Sequence, residues 1–199
     1  WAEDQDTALD EAIPGKIYRL RFEVSNEGMG GSGAVTYKLQ VAQTDTCGSG
    51  AYTDVPTDTS GHFQIIDSSY LTDGGVSTDV VSGLTNEAST FVAGQVKDTG
   101  NTTGSITLST NQFTELEFAV QATDNSVPGA NYCFRLVAAS GTSMSTYSVY
   151  GQIGVSTCEF KYSRPITIDR SKVAESIIPD TTSSANSGTT AQTSLSWSH

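Results

Sequence analysis

An all-β, loop-rich sandwich is the fold this sequence predicts, and three observations predict it. Several segments alternate apolar and polar residues with a period of two, the mark of strands with one buried face. Charged residues make up only 16% of the chain, while Ser, Thr and Gly are abundant; β-branched Thr suits a pleated surface and Gly weakens helices. No segment carries a convincing helical period, and about seven to nine strands at short spacing is the pattern of a β-sandwich. The 36% hydrophobic content is enough for a thin two-layer core.

The elements follow in order. Residues 1–16, "WAEDQDTALDEAIPGK", are acidic with a late Pro-Gly and read as a lead-in rather than core. From Ile17, "IYRLRFEVSNEG" sets Tyr18, Leu20, Phe22 and Val24 on one face against Arg19, Arg21 and Glu23. After the glycine-rich "NEGMGGSG", "AVTYKLQVAQ" aligns Val35, Tyr37, Leu39 and Val41, and the two runs are expected to form a long hairpin. The signal thins from Thr44 to Gln112, where Tyr52–Val55, His62–Ile66, Thr90–Lys97 and Ser105–Leu108 are short strand candidates. A structureless loop of that length is unusual in a compact domain, so some of these should pair at sheet edges.

Order returns at Phe113–Ala122, with Leu116, Phe118, Val120 and Phe113 or its neighbour facing inward. Asn131–Ala138 places Tyr132, Phe134 and Leu136 on one face, and Ser145–Val155 is expected as the final strand. The sandwich thus spans residues 17–157. Residues 158–199 form an extended tail with strand-like pieces, in which "TTSSANSGTTAQTSLSWSH" has the composition of a linker.

The net charge of -12 and pI near 4.3 repel phosphate backbones and anionic lipid heads, so nucleic acid and membrane surfaces are poor partners. No apolar run approaches the ~20 residues of a membrane span. The chain begins at Trp1 without a charged-then-apolar leader, which implies a removed leader or a piece of a longer protein.

Three cysteines are present, Cys47, Cys133 and Cys158, and two histidines, His62 and His199. A zinc site needs about four such ligands at characteristic spacing, and a catalytic thiol needs a His partner in an electropositive pocket. Neither arrangement is visible. A Cys47–Cys133 bond, closing a long loop and worth roughly 4 kcal/mol, is the expected role, and it implies an oxidising, extracellular compartment. Cys158 is then a free or intermolecular thiol.

Catalytic motifs are missing: there is no GxSxG, HExxH or glycine-rich phosphate loop. Glu115 and Glu117 are an i, i+2 pair about 6 to 7 Å apart, which a glycosidase could use; a solvated strand face is the expected reading, and no enzyme is expected. Asp4, Asp6, Asp73 and Asp79 offer calcium ligands without EF-hand spacing, and no cofactor is expected. Asn101 in "NTT" is a possible glycosylation site.

"YCFRLVAASG" followed by a Tyr-rich strand resembles the last two strands of fibronectin type III domains. "RLRFEVSNEG", a glycine turn and "YKLQVA" resemble the opening hairpin of immunoglobulin-like cell-surface modules. From Ile17 to Val155 the chain also resembles a β-module repeated in very large secreted proteins of uncultured bacteria. "KYSRPITIDRSKV" looks like the start of a separate domain, and "SGTTAQTSLSWSH" like the opening strand of another. The resemblance implies an Ig-like or fibronectin type III-like sandwich with terminal extensions, located outside the cell.

Two functions are expected from these features. One is a fibre subunit that lends a terminal strand to a copy of itself, head to tail. Its candidate anchors are Tyr162, Ile166, Ile168, Leu195 and Trp197, with Leu9–Ile13 a lesser donor; Pro165 sits awkwardly for a central strand. The other is an adhesin binding surface glycans or proteins through its loops, with Tyr52, Tyr70, Tyr147 and Tyr150 as available aromatics.

Overall fold

The structure, a computed structural model, describes residues 4–80, 84–86 and 88–157. These belong to the first of the two units into which the chain divides, Trp1–Glu159. The described fold is all-β. Its strands are β1 (Leu9–Ala12), β2 (Ile17–Asn26), β3 (Ala34–Val35), β4 (Tyr37–Gln43), β5 (Thr53–Asp54) and β6 (Phe63–Ile65). They continue as β7 (Thr90–Phe91), β8 (Val96–Lys97), β9 (Ile106–Thr107), β10 (Gln112–Ala122), β11 (Asn131–Ala138) and β12 (Gly151–Val155).

One sheet has the order β1-β12-β11-β4-β5, and a second has β2-β10-β6 with β7 and β8 also alongside β10. A small third sheet joins β3 to β9. The two large sheets share one core, in which Leu39, Tyr132 and Phe134 from the first meet Phe63, Leu116 and Phe118 from the second. Phe63 holds the sheets together: its ring sits edge-on to Tyr132 and to Phe134, each at 5.0 Å between centroids. Such aromatic pairs add about 0.5–1.5 kcal/mol each beyond the area they bury. This architecture is consistent with a β-sandwich.

The expected hairpin between the first two long strands does not form. β2 pairs antiparallel with β10 from Ile17↔Gln121 to Asn26↔Gln112, while β4 lies in the other sheet against β11. Both strands do turn the alternating face toward the core. Two such faces are satisfied equally well side by side or opposed across a core, and the long glycine-rich connection permits the crossing.

The lead-in is also part of the body. β1 pairs parallel with β12 through Leu9↔Ile153 and Ala12↔Val155, and Ala12 is fully buried. Leu9–Ile13 is therefore used within its own chain. Pro14-Gly15 then turns the chain into β2: the Lys16 amide donates to Ile13 O at 3.1 Å, and Gly15 takes φ +80, the geometry in which glycine follows proline in a type II turn. At the other end, β12 is shorter than expected. Residues 145–150 are not strand, and Tyr147 and Tyr150 lie in the connection before it.

Asn101 is a framework residue. Its amide nitrogen donates to Leu39 O and Val55 O at 2.8 and 2.7 Å, and its oxygen accepts from the Leu39 amide at 2.8 Å. One side chain thus stands in for a strand beside β4. A glycan on that nitrogen is incompatible with both donated bonds. Replacing Asn101 by Ala leaves the Leu39 amide and Val55 O to find new partners, while Leu39 O keeps the Val55 amide at 3.1 Å, and a loss of about 2–3 kcal/mol is expected. Urea unfolding measures it, and an unchanged midpoint contradicts the assignment.

Candidate functional site

The outer face of the five-stranded sheet carries the most distinctive cluster. Along β11, Tyr132, Phe134 and Leu136 are buried in the core, so Cys133 and Arg135 point the other way. Gln40 lies opposite Arg135 on β4, and Asp54 lies opposite Gln40 on β5. These side chains form a chain of hydrogen bonds. Arg135 Nε and Nη2 donate to Gln40 Oε1 at 3.1 and 3.0 Å. Gln40 Nε2 donates to Asp54 Oδ1 at 2.8 Å, and Lys38 Nζ to Asp54 Oδ2 at 2.6 Å.

Three tyrosines lie over this row. The Arg135 guanidinium carbon sits 4.0 Å from the Tyr52 ring centroid and 5.7 Å from that of Tyr147. Tyr150 stacks with Tyr147 at 5.3 Å and with Tyr52 at 6.3 Å. All three rings are half-buried. Burial and the neighbouring Tyr150 push the Tyr52 phenol up to about 12, against the opposing pull of Arg135, so the hydroxyl stays protonated and donates. It bonds to Cys47 O at 2.9 Å, and the Tyr147 hydroxyl bonds to Leu136 O at 2.6 Å.

Cys47 and Cys133 are joined by a disulfide, with Cα atoms 5.4 Å apart. The bond lies on this same outer face and ties the loop after β4 to β11. Of the four tyrosines singled out in the sequence, the structure brings three together; Tyr70 is 92% exposed and takes no part. Sequence reasoning missed Arg135 and Gln40, although the alternation of "YCFRL" already places Arg135 outward.

The outer face of the other sheet differs from expectation. Glu115 and Glu117 are not solvated: they are 0% and 3% exposed. Arg21 Nε lies 2.7 Å from Glu115 Oε2, and Arg21 Nη2 lies 2.8 Å from Glu117 Oε1. Arg19 pairs with the second oxygen of Glu117. A loop covers this ionic layer. Ser77 Oγ donates to Glu115 O at 2.5 Å, and the Gly94 amide donates to Ser77 Oγ at 3.0 Å. Gly94 is required there, because a Cβ would sit 2.1 Å from Glu115 O. Burial pushes the Glu115 carboxyl up, Arg21 and the Val80 amide pull it down, and Asp79 and Glu117 push it up again; the net shift is upward.

Both carboxylates are thus ion-pair partners of arginine. Of the calcium candidates, Asp73 is engaged by Lys97 Nζ at 2.7 Å and by the Asp98 and Thr99 amides. Among the described residues, no group of three or more His, Cys, Asp or Glu is placed to hold a metal ion.

A third feature lies on β2. Leu20, Phe22 and Val24 face the core but are only half-buried, whereas Leu116 and Phe118, their neighbours on β10, are 0% exposed. The Phe22 ring reaches across to β12, where a Cβ on Gly151 would meet it at 3.1 Å. Cys158, Tyr162, Ile166, Ile168, Leu195 and Trp197 lie outside the described residues.

Comparison with protein-family models, with curated proteins and with solved structures finds no match. The class is therefore defined by the fold alone, an all-β protein consistent with a β-sandwich.

Proposed function

We propose that the chain is a structural subunit of an extracellular fibre or surface filament, assembled head to tail as one copy lends a strand-like segment to the next. The observation that carries this reading is the half-buried row Leu20, Phe22 and Val24 on β2. Their neighbours on β10 are sealed, so apolar anchors laid along β2 gain about 25 cal/mol for each Å² removed from water.

The proposed lender is residues 162–168 of a second copy. Tyr162, Ile166 and Ile168 share one parity, the pattern needed to match the alternate residues of β2. Charge supports the same segment: Lys161, Arg164, Arg170 and Lys172 are four of the ten basic residues in a chain of net charge -12. A basic strip approaching an acidic body is steered toward it. A contact between two different surfaces propagates unless its rotation closes a ring.

The proposed fold type is immunoglobulin-like. The orders β2-β10-β6 and β12-β11-β4-β5 match the B-E-D and G-F-C-C′ orders of a variable-type domain. The disulfide departs from that type, joining the loop after the C-like strand to the F-like strand rather than bridging the sheets. A disulfide also favours an oxidising, extracellular setting.

The test places cysteines at Leu20 and Ile166 (L20C and I166C), with C158S to remove the third native thiol. Oxidation followed by a non-reducing gel should give a ladder of covalent multimers. A band at monomer size, crosslinked or not, overturns the proposal, as do filaments formed by a chain lacking residues 159–199.

A further inference from the structure

We infer that the outer face of the five-stranded sheet, centred on Arg135 and the stacked Tyr52, Tyr150 and Tyr147, is a binding site for an acidic polysaccharide. The inference is independent of the strand-lending reading, because it uses the outward face of the five-stranded sheet and not the core-facing row on β2.

Three properties of the face match that ligand class. The first is the aromatic platform. A sugar ring presents a face of C–H groups, and stacked half-buried rings offer it apolar area without exposing a greasy patch to water. The second is the adjoining row of planar polar groups, in which Arg135, Gln40 and Asp54 are hydrogen-bonded to one another. Arg135 spends two of its N–H groups on Gln40, and a guanidinium carries five. Those that remain suit a carboxylate, which arginine recognises through paired bonds.

The third property is charge. On a chain of net charge -12, this row holds two cations, Lys38 and Arg135, against one anion, Asp54. The neighbouring register row, Ala42, Cys133 and Gln152, is uncharged, and the anions Asp45, bonded to Asn131, and Asp10, beside Gly154, lie one row farther from Arg135. A local excess of positive charge on an acidic body selects an anionic group on the ligand.

The face is also held in place before any ligand arrives. The Tyr52 and Tyr147 hydroxyls are bound to backbone oxygens, and the disulfide fixes the loop that carries Tyr52. Little order remains to be gained on binding, which lowers its cost. Among the described residues, the Tyr150 hydroxyl makes no such bond. That ring is the member of the cluster least committed to the fold.

The experiment titrates the full chain at low salt with a hexamer of galacturonate and, separately, with the neutral maltohexaose, by calorimetry. Galacturonate should bind, and Y150A and R135Q should each weaken it at least about tenfold. The melting temperature of Y150A should stay at the wild-type value, which separates lost binding from lost fold. No heat with galacturonate overturns the inference. So does equal affinity for maltohexaose, or an affinity that neither variant changes.

Discussion

Breaking the Cys47–Cys133 bond is expected to cost about 4–5 kcal/mol of unfolding free energy, from the loop it closes in the unfolded chain. The two cysteines are separated by 86 residues, a span that includes β5 to β10 and the covering loop. In the folded state the bond ties the loop after β4 to the buried strand β11, and Cys133 is 1% exposed. Domains of this size have total stabilities of about 5–15 kcal/mol, so the loss is a large fraction of the whole. Urea unfolding of the native protein, of the reduced protein and of a C47A/C133A variant measures it. The two altered forms should agree with each other and unfold at clearly lower urea than the native form. Identical midpoints for all three would remove the disulfide from any account of stability.

The parts of this fold that were legible in sequence are those where one residue's neighbours decide its environment. In β10 and β11 the apolar residues alternate in sequence, so "TELEFAV" and "YCFRLVA" mark the two strands, although nearly every position of both is buried. Partner choice is a different matter. β2 and β4 carry equivalent patterns, and nothing local distinguishes pairing in one sheet from facing across the core. All four short candidates contain strands, but their extents were not legible: Thr90–Lys97 holds two separate pieces, Thr90–Phe91 and Val96–Lys97, which are strands because β10 supplies the bonds, not because two residues have a propensity.

The candidate site was legible only in part, and the errors share a cause. Glu115 and Glu117 point away from the core, as their parity requires, but the loop through Ser77 and Gly94 covers them. A rule that equates an outward residue with a solvated one misses a third layer. Tyr147 and Val149 extend the period-two run of Ile153 and Val155 in sequence, yet residues 145–150 sit before β12; Tyr147 is held by Arg135 and the Leu136 carbonyl, and Tyr150 stacks on it. No local pattern records that Tyr52, about a hundred residues earlier in the chain, completes the same stack.

Arg21→Ala is expected to cost about 3–5 kcal/mol at pH 7, because it strips a partner from two buried carboxylates at once. The Arg21 side chain is 5% exposed, and those of Glu115 and Glu117 are 0% and 4%. Arg19 still pairs with Glu117, so Glu115 is the group left without a cation, keeping only the Val80 amide of the partners that favour its charge. The pH dependence gives the prediction its signature. Burial already raises the Glu115 carboxyl in the wild type, and removing Arg21 raises it further. A carboxyl raised in the folded state contributes stability that is fully present below its unfolded value and is lost as pH rises through its folded value. The gap between wild type and R21A should therefore be widest near neutral pH and narrow as pH falls through the carboxylate range. A second variant isolates the charge: R21M/E115L removes both members of the pair and should be more stable than R21M alone, since no buried carboxylate is then left uncompensated. If the gap is flat from pH 7 to pH 4, or if the double variant is no better than R21M, the layer is held by packing, and the buried charges are not what makes Arg21 necessary.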